Sequence, residues 1–413
     1  MVDHTTKEPF PMSYLPHQIE TSDKAYAVLK QYGVCLIAGL PRTGKTATAI
    51  RVAEMSRAKR ILVVTKKAAI PGWYDELKRI GNTTKIYTIT NYEQVKKQPD
   101  DFDLIFVDES HTIGRAGKPT QRLKDLRAKT LGKPVLLLTG TPAAETNLSY
   151  YYQFSLSRWS PFKHKSFYAF FKDWGIPQEI RINGRMQETY KKCKPEIVDY
   201  LAPYIVTLNQ TQAGIKHQAQ DRVHEVQLDQ STKDLIEELK EDKVIIVDNQ
   251  VFAAESDIKE RYGVHQIEYG ALLQGSLVID LPNTEVVDYL MKTFGDSPDV
   301  GYMVHYRSTK VKLEKVFKQA QVYSSNAHAE GVNLAHLKHF VIVNSDFSGA
   351  KFVQRRERIT NLTRNTEAIV HHIVTDGGIS KPLYNTLKDK RDFTLSLYKR
   401  IRNDRAKTSE QDT

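Results

Sequence analysis

The stretch Ile37-Ala38-Gly39-Leu40-Pro41-Arg42-Thr43-Gly44-Lys45-Thr46 restricts the fold of this chain more than any other part of it. An apolar run (Val34, Cys35, Leu36, Ile37) leads into it and Ala47-Thr48-Ala49-Ile50 follows, so the local order reads as strand, glycine-rich loop, helix. The spacing Gly-x-x-x-x-Gly-Lys-Thr suits phosphate. Glycines let backbone N–H groups turn inward on phosphate oxygens, and a helix opening at Gly44 points the positive end of its dipole at them. Lys45 is then expected between the β- and γ-phosphates of a nucleoside triphosphate and Thr46 on Mg²⁺, with Gly39, Pro41, Arg42, Thr43 and Gly44 forming the cradle. A glycine-rich turn with no ligand is the plainer alternative; the strand-loop-helix order speaks against it.

Such a loop needs a parallel sheet around it, and the next segments supply one. Ile61-Leu62-Val63-Val64-Thr65 reads as a buried strand, followed by Lys66-Lys67 and a helix carrying Trp73, Tyr74 and Leu77; Ile86-Tyr87-Thr88-Ile89 leads to Thr90-Asn91-Tyr92. Strands alternating with helices imply a sheet covered on both faces, with ligands bound where strand ends meet loops. Lys66 and Asn91 fall on such loops and are candidates for contact with a phosphate backbone, solvated loop positions being the alternative. Asp103-Leu104-Ile105-Phe106-Val107 runs into Asp108-Glu109-Ser110-His111. Parallel strands end at the same edge, so Asp108 is expected in the Mg²⁺ shell and Glu109 beside the attacking water. Val135 to Leu138 reads as another buried strand, ending in Thr139-Gly140-Thr141-Pro142, whose hydroxyls are placed to sense the γ-phosphate. Ahead of the loop, Gln18 opens a helical segment (Glu20 to Gln31) and can present its amide to an adenine edge.

Together Gln18, Gly39 to Thr46, Asp108-Glu109-Ser110-His111 and Thr139-Gly140-Thr141-Pro142 resemble the first RecA-like lobe of superfamily 2 helicases and translocases; Pro71-x-Trp73 and Asn91-Tyr92 are most similar to the Swi/Snf-type branch. The resemblance implies ATP and Mg²⁺ as ligands, DNA as the track, and His111, Thr139 and Thr141 as residues coupling the two.

Composition is compatible with this. The chain has 413 residues, 40% of them hydrophobic, enough for two or three domains of about 100 to 200 residues. No apolar run approaches the roughly 18 residues of a membrane span, and Met1 to Pro11 lacks the halves of a signal peptide, so a soluble cytoplasmic protein is expected. Cys35 and Cys193 alone cannot build a disulfide framework or a four-cysteine metal site, and His371-His372 on a strand point to opposite faces. Lys plus Arg exceed Asp plus Glu by 60 to 49, a formal net charge of +11 that favours a polyanionic partner.

From Tyr150 to Trp174 aromatics are interleaved with Arg158, Lys163, Lys165 and Lys172, a pattern that fits either a base-stacking surface or the core of a small helical subdomain. Glu179 to Gln187 reads as a hairpin about Asn183-Gly184, with Arg181 and Arg185 flanking the tip as candidates for gripping a duplex. Helices are expected over Leu228 to Lys240 and His265 to Leu277, and a break at Asp280-Leu281-Pro282-Asn283. A second β/α alternation follows, with strands at Val300 to His305, Gln321 to Ser324, Phe340 to Asn344 and Ala368 to Val374, helices at Glu285 to Phe294, Lys310 to Lys318 and Ser348 to Ile359, and a closing basic helix with Lys390, Arg391, Lys399 and Arg400.

This part is similar to the second lobe of the same superfamily. Gly331-Val332-Asn333-Leu334 resembles the element in which Gly331 couples and Asn333 meets nucleic acid, and Gln354 with Arg358 resembles the arginine-finger motif. The second finger position falls on Asn361, leaving Arg355 or Arg364 to supply that charge, or a single finger at Arg358. The short path from His305 to Gly331 resembles small helicase-like proteins encoded by phages, implying action in a bacterial host.

The fold class expected is α/β, two RecA-like parallel-sheet lobes with a mostly helical middle insertion, divided as 1–149, 150–280, 281–405 and a polar tail 406–413. The activity expected is that of a DNA-stimulated ATPase, a helicase or translocase on duplex or branched DNA without sequence preference. An ATP-gated nucleic-acid-binding switch with little turnover, an RNA helicase and a small-molecule kinase are the alternatives; the last leaves the acid pair and the whole second lobe unused.

Overall fold

A computed structural model describes residues 14–81, 83–113, 117–143, 146–182, 185–215, 218–325, 334, 336–360, 364 and 366–389. It divides into two compact units, Met1–Ile215 and Lys216–Thr413.

The first unit runs α1 (Pro16–Tyr32), β1 (Val34–Gly39), α2 (Lys45–Met55), β2 (Arg60–Thr65), α3 (Ile70–Ile80), β3 (Ile86–Asn91), β4 (Leu104–Asp108), α4 (Gln121–Thr130), β5 (Val135–Thr139), α5 (Tyr150–Phe154), α6 (Phe167–Trp174), β6 (Gly175–Ile182), β7 (Arg185–Cys193), α7 (Ile197–Leu201) and β8 (Ile205–Leu208). Six strands form a wholly parallel sheet in the order β3-β2-β4-β5-β1-β8. Strand alternation serves two cores: Val34 and Leu36 join the apolar cluster on one face, Cys35 and Ile37 the cluster on the other. Tyr14 and Leu15 lead into α1, which ends at Gly33 (φ 68°), whose N–H returns to Leu29 O.

Most of the aromatic segment is core. Tyr150, Tyr151, Tyr152, Phe154, Phe162, Phe167, Phe170 and Phe171 are all buried in the first cluster, Tyr151 stacking on Phe170 with centroids 4.8 Å apart. Each such side chain contributes about 1.5–3 kcal/mol by burial. Trp159 and Tyr168 stay exposed. The expected hairpin is present as antiparallel β6 and β7, with Ile182 opposite Arg185.

The second unit runs β9 (Ala219–Val226), α8 (Gln230–Asp242), β10 (Val244–Val247), β11 (Gln250–Ala253), α9 (Asp257–Ile267), β12 (Ala271–Gln274), β13 (Leu277–Asp280), α10 (Glu285–Thr293), β14 (Val300–Val304), α11 (Arg307–Val316), β15 (Gln321–Ser324), β16 (His339–Ile342), α12 (Gly349–Arg356), β17 (Ala368–Thr375) and α13 (Ser380–Lys388). Its parallel sheet has the order β15-β14-β16-β17-β9. Here too both faces are covered: Tyr302 and Val304 lie in one cluster and Met303 in another.

The sequence-based division changes in one respect. Residues 150–280 are no separate domain, because β8 completes the first sheet beside β1 (Leu36 opposite Ile205 to Gly39 opposite Leu208) and β9 pairs along its whole length with β17. The boundary therefore falls between Ile215 and Lys216 rather than at 149/150 and 280/281. The helix expected over His265 to Leu277 is also replaced. Ser256 caps α9 nine residues earlier, and Gly270 (φ 75°) and Gly275 (φ 60°) admit turns that fold Ala271 to Asp280 into a hairpin. The closing basic helix with Lys390 to Arg400 and the tail 406–413 lie outside the described residues.

Candidate active site

Gly39, Thr65, Asn91, Asp108 and Thr139 are the last residues of β1, β2, β3, β4 and β5, and parallel pairing brings them to one edge of the first sheet. The loop after β1 turns through two left-handed residues, Arg42 (φ 67°) and Gly44 (φ 79°), on either side of buried Thr43. Successive residues of this kind make a backbone concavity for anions. Thr43 Oγ1 donates to Leu40 O within the loop (2.8 Å), and Leu40 N to Leu208 O (3.0 Å), Gln210 Nε2 to Pro41 O (3.2 Å) and His17 Nε2 to Thr43 O (3.1 Å) fasten it from outside at three points. Lys45 folds over it, Nζ donating to Gly39 O (2.7 Å) and Leu40 O (3.3 Å). Thr46 is half-buried in the first turn of α2. The cradle fits a triphosphate: an ammonium already sits over the loop, and the left-handed Arg42 and Gly44 shape its backbone.

Gln18 is buried, with its Nε2 2.4 Å from where a Cβ at Gly44 would lie, and the left-handed φ of 79° at Gly44 is what calls for glycine there. Gln18 Oε1 accepts from Leu15 N (3.0 Å). The amide is thus a wedge between α1 and the loop, its oxygen accepting at the start of its own helix.

Asp108 is held by three donors: Thr65 Oγ1 (2.8 Å) and Trp73 Nε1 (3.1 Å) on Oδ2, and Glu109 N (3.0 Å) on Oδ1. Tyr92 OH donates to its backbone oxygen. Burial pushes the Asp108 carboxyl above the usual carboxylate range and the neighbouring Glu109 charge adds to that, while Trp73, Thr65 and Lys45 oppose. Glu109 goes the other way. Burial alone would raise it, but the hydrogen bond and charge of His111, then Lys45 and Lys66, hold it down at about 2. Its backbone is left-handed (φ 52°), a strained setting for a carboxylic residue that turns the side chain out of the strand's course.

His111 Nδ1 lies 3.2 Å from Glu109 Oε2 and shares a 2.8 Å hydrogen bond with Thr139 Oγ1, which also accepts from Thr141 N (3.1 Å). Thr141 Oγ1 is buried without a hydrogen-bond partner among the described residues. The same turn abuts the glycine loop, since a Cβ on Gly140 would stand 3.5 Å from Pro41 Cδ and 3.6 Å from Gly39 O. The turn, the acid pair and the loop form one packed cluster, and an orphaned hydroxyl inside it fits a polar ligand.

Among the nucleic-acid candidates, Lys66 precedes an exposed turn, and its charge reaches Glu109. Asn91 Oδ1 accepts from Glu93 N (3.1 Å) and Gln94 N (3.0 Å), so its carbonyl holds a turn. The side chains of Arg181 and Arg185, at the hairpin tip, and Gly331 and Asn333 lie outside the described residues. In the second unit Gln354 is buried. Arg355 is 1% exposed and grips Asp346 with both arms (Nη1 to Oδ1 3.0 Å, Nη2 to Oδ2 2.8 Å), so it is part of the core and not a catalytic charge. Arg364 is likewise committed, to Leu337, Thr366 and Glu367 carbonyls. Arg358 stands half-buried in the turn after α12.

Residues without a sequence-derived role also enter the cluster. Gln153, fully buried, accepts from Ser110 Oγ (2.8 Å) and donates to Pro142 O (2.7 Å), bridging the ends of β4 and β5. An amide alone among aromatics at Tyr150 to Phe154 was the available signal. Trp73 was marked by the Pro71-x-Trp73 element, though not its tie to Asp108; Thr65, His17 and Gln210 carried no signal, because their partners are distant in sequence.

Two parallel-sheet units, the first presenting a glycine loop, an acid pair and a hydroxyl turn at one edge, define this as an α/β protein. No protein-family model matches the chain, and no curated protein matches it. Among solved structures it is similar to the Sulfolobus solfataricus SWI2/SNF2 ATPase core in complex with dsDNA, with a TM-score of 0.43 and 14% identity over 96% of this chain and 94% of that one. Among the described residues no helix is long and apolar enough to cross a membrane.

Proposed function

We propose that this chain is a nucleic-acid-stimulated ATPase that moves along or remodels DNA. The observation that carries the reading is the Glu109 carboxylate with His111 Nδ1 3.2 Å from its Oε2, at the sheet edge that also bears Lys45 and Asp108. A carboxylate kept charged at working pH can orient and deprotonate a water. A switch without turnover has no use for one.

In this reading Lys45 and the loop N–H groups bind the β- and γ-phosphates of ATP, and Thr46 and Asp108 hold the metal. Mg²⁺, when bound, neutralises charge on the phosphate oxygens. Glu109 positions the attacking water and accepts its proton; His111 passes the state of Glu109 to Thr139 and the turn. Arg358 is the residue that would supply a finger charge, worth about 10³ to 10⁵ in rate. With Arg355 and Arg364 engaged internally, hydrolysis depends on that one finger. Lys66 and the β6–β7 hairpin with Arg181 and Arg185 grip the track through phosphates, without sequence preference and with affinity falling as salt rises. The net charge of +11 supports a polyanionic track.

The test is phosphate release by the full chain with no polymer and with single-stranded DNA, double-stranded DNA or RNA, beside Lys45→Ala and Glu109→Gln. DNA should raise the rate, and each variant should lose about 10³-fold or more. A Lys45→Ala protein as fast as its parent overturns the reading, as does stimulation by RNA alone.

A further inference from the structure

We infer that Trp73 is a positioning residue that ties Asp108 to the track-facing loop 66–72, so that contact of this loop with nucleic acid is felt at the carboxylate that would hold Mg²⁺. The inference rests on the function proposed above and adds a residue and a route to it.

One oxygen of Asp108, Oδ2, has two side-chain donors, and these bracket a single loop in sequence. Thr65 Oγ1 (2.8 Å) is the last residue of β2, and Trp73 Nε1 (3.1 Å) lies in the first turn of α3. Between them run Lys66, the turn Lys67–Ala69 and the opening of α3. Lys67 and Ala68 are exposed, as are Pro71 and Gly72, whereas Thr65 is fully buried and Trp73 is 2% exposed. The loop thus has a wet outer surface and two dry anchors on one carboxylate oxygen. A displacement of the loop strains at least one of the two hydrogen bonds.

Trp73 is also packed against the strand that carries its acceptor, its ring centroid 6.1 Å from that of Phe106 on β4. The indole N–H is the polar end of an otherwise apolar contact, and a buried indole needs such a partner. Half-buried Lys66 and exposed Lys67 on the same loop suit a phosphodiester chain.

Trp73→Phe keeps the ring and removes the N–H; Thr65→Val removes the other donor with little change of shape. Both are compared with the parent for affinity to a fluorescein-labelled 30-base-pair duplex, affinity for a fluorescent ATP analogue with Mg²⁺ in the presence and absence of that duplex, ATP hydrolysis with and without duplex, and thermal midpoint. The expected result is duplex affinity within about twofold of the parent and a loss of about tenfold in both the DNA stimulation of hydrolysis and the DNA-dependent gain in Mg²⁺-nucleotide affinity, the range seen when a partner of a metal-holding group is removed. A merely structural tryptophan would instead lower the midpoint and reduce rates with and without DNA in the same ratio, which overturns the inference. Stimulation equal to the parent's in both variants overturns it as well. A parent that hydrolyses ATP but ignores every polymer refutes the proposed function itself, a result read from the parent alone.

Discussion

Replacing Arg355 by methionine separates a core arginine from a catalytic one. The guanidinium makes two hydrogen bonds to Asp346, which is 8% exposed and keeps one further cation nearby, Lys351 Nζ at 3.2 Å. Burial pushes the Asp346 carboxyl up, and Arg355, through its charge and hydrogen bond, brings it below the usual range. Removing one partner of a buried pair costs about 3–5 kcal/mol because the other charge is left stranded. For a unit of this size each kcal/mol moves the midpoint by about 2–4 °C, so the second unit should melt about 6–20 °C earlier. All three tryptophans, Trp73, Trp159 and Trp174, lie in the first unit, so their emission follows that unit, and calorimetry or far-UV circular dichroism is needed for the second. Asp346→Asn combined with Arg355→Met should recover part of the loss, giving a coupling energy above about 1.5 kcal/mol. Below the lowered midpoint, ATP hydrolysis per folded molecule should stay within a fewfold of the parent, whereas Arg358→Ala should lose about 10³-fold. An Arg355→Met protein with an unmoved midpoint and an Arg358-like loss of rate would refute the reasoning and make Arg355 the finger.

Acid should weaken the second unit before the first: burial pushes His265 and His371 down to about 3 and His305 to about 4, so all three are neutral when folded and take up protons only on unfolding. Stability conferred by a depressed histidine is full above about pH 6.5 and is lost as pH falls from there toward the folded values, by up to about 1.4 kcal/mol per pH unit for each group; urea midpoints by circular dichroism from pH 7.5 to 4.5 test this. Lys312 donates to Gly270 O, Leu281 O and Asn283 O at 2.7–2.9 Å while 7% exposed, and Lys312→Met should destabilise the second unit by about 3 kcal/mol or more in the same assay. Gln153→Leu leaves Ser110 Oγ and Pro142 O without their bridge, and should cost about 2–4 kcal/mol and lower the maximal hydrolysis rate more than the affinity for ATP, read from steady-state kinetics and nucleotide binding.

The parts of the site that were legible in sequence are those whose chemistry is local. Gly39 to Thr46 and Asp108-Glu109 each follow an apolar strand within a few residues, so strand, loop and charge are read in one window. What was hidden is non-local. β8, only Ile205-Val206-Thr207-Leu208, is too short to signal a strand, and β9, Ala219 to Val226, is mostly polar because it lies at an edge with one side wet. Each becomes a strand through a partner far along the chain, β1 and β17, and missing them moved the boundary to 281. The same holds for side chains: Arg358 is matched by the motif while Arg355 is left open as a substitute second finger, and Asp346 assigns Arg355 to the core.

The order β5-β1-β8 also bears on how force enters the first unit. The chain leaves the sheet at Thr139 along one flank of β1, makes its excursion through α5, α6, the long hairpin and α7, and rejoins at Ile205 along the other flank. A tug on the hairpin therefore arrives at β1 from both sides, loading two parallel ladders in shear, many bonds at once, instead of peeling one from its tip. The member that carries the glycine loop is braced like a beam between two tie rods.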